Sequence, residues 1–192
     1  MRTAILARHA ESDFSVRAAV SSDPAVQVGL TPAGEEQARG LGRALRDERI
    51  DLCVVTEFER TRRTAEAALE GRDVEILVVP ELNDPRAGRF DGGPLDEFRA
   101  WSWAHGSADE PPGGGESRLA LASRLARGYR RVLERPEETV LVVGHALPMA
   151  YVLGGPTRRI DMLDYVTPHR LSREELEAGV ERLEAWATAP TW

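Results

Sequence analysis

Two of the chain's four histidines and two of its arginines follow apolar runs: Arg8-His9 after Thr3–Ala7, Arg60 just beyond Asp51–Val55, and His145 after Thr139–Val143. Side chains of these types suit one chemistry in particular. A neutral imidazole is a nucleophile, neighbouring guanidinium groups favour its unprotonated form, and their planar forks neutralise the equatorial oxygens of a phosphoryl group bidentately. Taken singly, each residue reads as a solvated loop side chain or a helix-end hydrogen bond. Taken together, two imidazoles and two guanidiniums with no cysteine nearby meet the requirements of phosphoryl transfer through histidine. A charge-assisted contact contributes about 1.5–3 kcal/mol. Several that tighten in the transition state would supply a sizeable part of the barrier lowering.

Such residues act together only if the chain brings them to one place. Short β-rich runs at Thr3–Ala7, Asp51–Val55, Glu75–Val79 and Thr139–Val143 alternate with stretches of helical period, which is the α/β pattern. The apolar run Leu141-Val142-Val143 predicts strands buried on both faces, hence a mostly parallel central sheet covered by helices on both sides. In open parallel sheets ligands gather at the carboxyl ends of the strands, where loops converge and helix N-termini direct their dipoles. Thr31 as N-cap and Pro32 after it open one helix, with Ala38, Leu41 and Leu45 on a buried stripe. A second is predicted from Glu59 to Leu69. A third runs from Ser117 to Glu134, with Leu121, Leu125, Tyr129 and Val132 inward and Pro136 stopping it. Ser172 and Glu175 form a capping box for a C-terminal helix over 172–188. The segment 92–117 holds Pro94, Pro111, Pro112 and Gly113-Gly114-Gly115 around Phe98, Trp101 and Trp103, and reads as an excursion near the mouth of the site. Trp101 and Trp103 are expected to point apart and chiefly to cover core.

Composition removes several alternatives. The 192 residues carry 25 Lys+Arg against 32 Asp+Glu, a net charge of −7, and every cation is arginine. With no lysine, a Walker A loop, a lysine Schiff base and a lysine general base are excluded. A single cysteine, Cys53, excludes a disulfide framework, a Cys-x-x-Cys redox pair and thiolate-rich metal sites. A pI of about 5.2 opposes general nucleic-acid binding. The run Ala4–Ala7 is broken by Arg8-His9, far short of a signal-peptide core or the roughly 20 apolar residues of a membrane span. A cytoplasmic protein with no membrane partner is expected, and the length suits one domain over residues 1–192.

The motifs also resemble a known family. Leu6-Ala7-Arg8-His9-Ala10-Glu11-Ser12 is similar to the Arg-His-Gly-Glu signature of the histidine phosphatase superfamily, which includes the cofactor-dependent phosphoglycerate mutases. Gly29-Leu30-Thr31-Pro32-Ala33-Gly34 resembles its Leu-Thr-x-x-Gly element, the run from Thr56 to Ala65 its Ser-x-x-x-Arg-x-x-x-Thr-Ala segment, Gly115-Glu116-Ser117 its Gly-Glu-Ser, and Val143-Gly144-His145 its second-histidine motif. The resemblance implies a phosphoglycerate mutase-like three-layer α/β sandwich. It also implies His9 as nucleophile forming a phosphohistidine, Arg8 and Arg60 as phosphate clamps, and His145 as a further phosphate-pocket residue. For the proton donor the family uses a glutamate after a leucine, where Leu82-Asn83-Asp84 here offers Asp84, one methylene shorter; Glu81 and Asp91 are the reserve candidates. Ala10 stands where glycine is common. Ser15 occupies roughly the place of the mutases' asparagine and is a candidate substrate-binding residue, while their Gln-Gly pair is not evident between Ser12 and Val28.

Other apparent motifs fail on chemistry. His9-Ala10-Glu11 lacks the Pro-Cys-x-x-Cys partner of the zinc deaminases, and Gly113-Gly114-Gly115 follows no clear strand and precedes no lysine. His105 and His169 read as exposed or structurally satisfied, Glu116-Ser117 as a helix cap, and Arg17, Arg86 and Arg89 as candidates for a second anionic group of the substrate. The expected activity is a phosphomonoesterase needing neither metal nor cofactor and acting through a phosphohistidine on a small phosphorylated metabolite. The alternatives are a mutase-type phosphotransferase and a non-catalytic phosphate-binding module. A homo-oligomer is compatible with the sequence.

Overall fold

The computed structural model describes residues 1–157 and 163–191. In strand β1 (Thr3–Arg8) apolar side chains of both parities are buried, Ala4 and Leu6 in one core layer and Ile5 and Ala7 in the other. β2 (Leu52–Val55) and β4 (Thr139–Gly144) divide their side chains in the same way, while β3 (Glu75–Val78) closes one edge. Strands apolar on both faces require helices on both faces. α2 (Pro32–Ala44) and α3 (Glu59–Ala68) cover one, with Leu41, Ala65 and Ala68 in its core. α5 (Arg118–Leu133), α6 (Ala146–Gly154) and α7 (Arg173–Thr188) cover the other, with Leu125, Tyr129, Met149, Leu176 and Leu183.

The sheet order is β3-β2-β4-β1-β5, with β1 to β4 parallel and β5 (His169–Ser172) antiparallel on β1. Thus β1 and β4 are neighbours, with Arg8 opposite Gly144 in register, and His9 and His145 leave the sheet side by side. The predicted helix starts hold. Thr31 accepts a hydrogen bond from Gly34 N, Ser117 from Ala120 N, and Ser172 pairs with Glu175 in a capping box. Gly34 is needed for proximity, since a Cβ there would collide with the Glu11 carbonyl of the loop after β1.

Three elements lie outside the sequence expectations. The short α1 (Asp13–Val16) sits in the loop after β1, and β5 has only Leu171 as an apolar side chain. α6 contains Pro148, which its first turn tolerates because an amide there has no intrahelical acceptor. Within the excursion, α4 (Leu95–Ala104) carries both tryptophans. Cys53 is fully buried, and burial pushes its thiol up to about 12, so it is inert. Among the described residues no helix is long and apolar enough to cross a membrane.

Candidate active site

The nucleophile candidate is fixed by its backbone. His9 N donates to Gly144 O at 2.8 Å, continuing the β1–β4 ladder, and Ala10 N donates to Thr64 Oγ1 at 3.0 Å. Thr64 in turn donates to Arg60 O at 2.7 Å, so one buried hydroxyl ties the turn after β1 to α3. His9 Nδ1 lies 2.7 Å from Ala10 O. A carbonyl oxygen only accepts, so Nδ1 carries the proton and Nε2 keeps its lone pair. Burial above all, then the positive charges of Arg60 and Arg8, holds His9 well below the usual imidazole value of 6.5 against the opposing Ala10 carbonyl. Ala10 is fully buried and its backbone is not left-handed, so the methyl that replaces the family's glycine introduces no strain.

Arg60, only 3% exposed, is the hub of the site. Its Nη1 donates to Ser21 Oγ at 2.9 Å; its Nη2 donates to Ser21 O at 3.2 Å, to Asp84 Oδ2 at 3.1 Å and toward His145 Nδ1 at 3.3 Å. Its guanidinium also lies 4.1 Å from the Phe58 ring centroid. Desolvation lowers its pKa and Asp84 opposes the shift; a guanidinium stays charged through this. Arg8 donates from Nη1 to Leu163 O at 2.8 Å, and its guanidinium sits 3.9 Å over the Tyr165 ring.

Asp84 shares one space with His9 and both arginines. Its side chain keeps 26% of its surface exposed. Crowding by the protein raises its pKa above the ordinary carboxyl value, against the lowering influence of Arg60, Arg8 and Arg124. The loop that carries it is held from several sides. Arg124 donates to the carbonyls of Glu81 at 2.9 Å, Asn83 at 3.0 Å and Asp84 at 3.4 Å while gripping Glu116 with bonds of 2.6 and 2.8 Å. Asn83 accepts from Glu57 N and donates to the Glu57 carboxylate. Further on, Arg89 N donates to Pro112 O and Glu116 N to Arg86 O, which seats the 111–116 turn on the loop. Gly88, at φ +59°, allows that approach, because a Cβ would strike Pro112 O. The reserve carboxylates are engaged elsewhere. Glu81 pairs with Arg131, and Asp91 accepts from Ser22 N and Oγ.

His145 is fully buried and contacts groups of the site without lining the cavity. Its ring centroid is 5.4 Å from that of His9, its Nε2 meets Thr56 Oγ1 at 2.9 Å, and its Nδ1 faces Arg60 and Asp84 Oδ2, each at 3.3 Å. Burial, reinforced by Arg60, holds it well below 6.5 and therefore neutral. Ser15 lines the cavity, but its hydroxyl closes a capping box, accepting from Ser12 N at 2.8 Å and donating to Ser12 O at 2.7 Å.

Two sequence expectations are corrected. Trp101 and Trp103 do not cover core: both line the cavity, Trp103 is 64% exposed, and no residue of α4 is buried. The helix is pinned by backbone hydrogen bonds instead, so its aromatics are left to the cavity. Arg17, Arg86 and Arg89 do not line it; Arg99 and Arg118 do. Arg17 is spent on Asp13 O and the Phe14 ring, Arg86 lies near Glu116, and Arg89 stacks on Phe90. The sequence reading also passed over Ser21, Tyr165 and Arg124. Nothing local marks them, since each reaches the site through partners far along the chain. Glu116 does more than flank the Ser117 cap, because its buried carboxylate is the partner of Arg124. Among the described residues no group of three His, Cys, Asp or Glu side chains is arranged to hold a metal.

Residues 4–188 match the histidine phosphatase superfamily (branch 1). The chain is 32% identical over 197 residues to a 2,3-bisphosphoglycerate-dependent phosphoglycerate mutase of Methylobacterium sp. (strain 4-46), covering 93% of this chain and 88% of that one. It is 28% identical over 166 residues to the adenosylcobalamin/alpha-ribazole phosphatase of Escherichia coli K12, covering 79% of each. The crystal structure of the alpha-ribazole phosphatase from Shigella flexneri superposes with a TM-score of 0.75 at 25% identity, covering 88% of this chain and 89% of that one.

Proposed function

Since the chain belongs to the histidine phosphatase superfamily, we propose that it is a phosphomonoesterase acting on a small phosphorylated metabolite, with His9 as nucleophile and Asp84 as the proton donor. The observation that carries this reading is the single space lined by Arg8, His9, Arg60 and Asp84, in which burial favours a neutral imidazole and a protonated carboxyl together. His9 Nε2 attacks phosphorus in line with the ester oxygen. The P–O bond breaks, Asp84 gives its proton to the departing alkoxide, and phosphohistidine remains. Water then gives a proton to the Asp84 carboxylate and attacks phosphorus, the P–N bond breaks, and His9 returns to neutral. Arg8 and Arg60 hold the equatorial oxygens through both steps, and their fixed charges stabilise the transferring group without a metal. His145 serves as a positioning residue, its Nδ1 against Arg60 and Asp84. The proposal includes a cytoplasmic setting, where phosphorylated metabolites are made, and one domain over residues 1–192.

The similarity to a phosphoglycerate mutase supports a second reading, in which the phosphohistidine passes its phosphoryl group to another hydroxyl. Steady-state turnover of p-nitrophenyl phosphate in EDTA tests the first. Phosphate release equal to p-nitrophenol release is expected, with none from a folded His9→Ala variant. Loss of activity in EDTA, or full activity in His9→Ala, contradicts it. Phosphate release lagging behind p-nitrophenol when glycerate phosphates are added favours the mutase.

A further inference from the structure

Beyond the phosphate cradle the cavity, about 640 Å³ in volume, is walled mainly by apolar side chains. Its size falls in the range of roughly 300–1,000 Å³ typical of pockets that bury drug-sized ligands, far more than a phosphoryl group on a three-carbon acid fills. The α4 wall presents Leu95, Phe98, Trp101 and Trp103. A helix of this composition would ordinarily bury such residues in the core, yet none is buried and Trp103 stands 64% exposed. The helix is kept in place by other means. Gly92 N and Val20 N exchange hydrogen bonds with Val20 O and Gly93 O, and Leu95 N donates to Ala18 O at 2.8 Å. At the far end Arg118 donates to the carbonyls of Ser102 and His105. Phe90 backs the wall, its ring centroid 5.8 Å from Phe98 and 6.1 Å from Trp101. Leu147 and Tyr151 from α6 also line the cavity.

Charged groups on this outer wall do not form a second anion site. Asp109, Glu116, Arg99 and Arg118 line it, but Glu116 is neutralised by Arg124, Asp109 accepts from Gly106 N, and Arg118 is committed to the two carbonyls it holds, so most of the wall's surface is apolar. With the phosphoryl group anchored at Arg8 and Arg60, the group esterified to it has the apolar chamber beside it.

We infer that the substrate is a phosphomonoester whose alcohol carries an aromatic or bulky apolar body, which packs against Phe98, Trp101 and Trp103 and is preferred over a small polyanionic leaving group. This rests on the phosphomonoesterase reading and narrows it to a substrate class.

The test compares ethyl, 2-phenylethyl and 2-(1-naphthyl)ethyl phosphate, whose alcohols leave with similar ease and differ in apolar bulk, with 3-phosphoglycerate alongside. kcat/KM is expected to rise about tenfold or more from the ethyl to the naphthylethyl ester, mainly through KM, as burial of a ring's apolar surface provides. In Phe98→Ala and Trp101→Ala, which empty no core, that ratio is expected to fall at least about threefold. Calorimetric titration of the matching ethyl and naphthylethyl phosphonates reads the same preference without turnover. A flat ester series with equal phosphonate affinities, or preference for 3-phosphoglycerate, overturns the inference. If ethyl phosphate is still hydrolysed through His9 in that case, the phosphomonoesterase reading stands. If no ester turns over while the naphthyl phosphonate binds more tightly, catalysis fails and the apolar chamber stands.

Discussion

At the scale of single residues the site sets two burial effects against each other. Desolvation lowers the pKa of His9 and raises that of Asp84, which favours an electron pair and a proton facing the same space. The first step therefore falls away as pH drops through the depressed His9 value or rises through the elevated Asp84 value. Because the donor matters most when the leaving alkoxide is basic, Asp84→Asn is expected to lose about 10²–10⁴-fold on alkyl phosphates but far less on p-nitrophenyl phosphate, whose phenolate leaves unaided. Equal losses on both esters would remove Asp84 from the donor role. Arg8, His9 and Arg60 were legible in the sequence as chemistry-bearing side chains that follow strands, and Asp84 only through the family resemblance of Leu82-Asn83-Asp84. Tyr165 was not, since its place over Arg8 depends on the return of the chain after α6.

At the scale of elements, the Asp84 loop has no regular structure to hold it beyond short helical turns at Pro80–Leu82 and Gly88–Phe90. Its geometry comes from α5 through Arg124, whose three carbonyl contacts and buried partner Glu116 replace a ladder of backbone bonds. Arg124→Gln leaves that buried carboxylate with only the exposed Arg86 guanidinium, 3.9 Å away, as a charge partner, a loss of up to about 3–5 kcal/mol measurable by chemical denaturation. Pairing Arg124→Met with Glu116→Leu is expected to recover much of the stability yet not the alkyl phosphatase activity, because the loop carbonyls still lack their donor. Recovery of both would show that Arg124 does nothing for Asp84. The helices with capping residues and apolar stripes were readable from sequence, whereas α6 was hidden by Pro148 and β5 by its polar, edge-strand composition.

At the scale of the whole molecule, burying two neutral histidines at the ends of β1 and β4 ties stability to pH. Both are held well below 6.5, so the unfolded chain binds protons near that value that the folded chain refuses. Stability from this source is present above about pH 6.5 and declines as pH falls, with a limiting slope of about 2.7 kcal/mol per pH unit for two such groups. Asp84 acts with the opposite sign, but only in the window between the ordinary carboxyl value of 3.8 and its elevated one. Denaturation from about pH 7 down to about pH 5.5 should show the decline, with a shallower slope in His145→Gln; a wild-type slope no steeper than the variant's contradicts it. The α/β layering was plain in the sequence from strands apolar at both parities, while the apolar chamber was not, since it depends on α4 leaving its aromatics unburied.

The central claim, that His9 carries the phosphoryl group between two half-reactions, is tested most directly by rapid acid-free quenching of the enzyme with a radiolabelled phosphate ester, followed by peptide mapping. Label on His9, lost in acid and stable in alkali, formed within the first turnover and absent from His9→Ala, is the expected result. Alcohol released in that first turnover with no label on His9, or with label on another residue, would contradict the account.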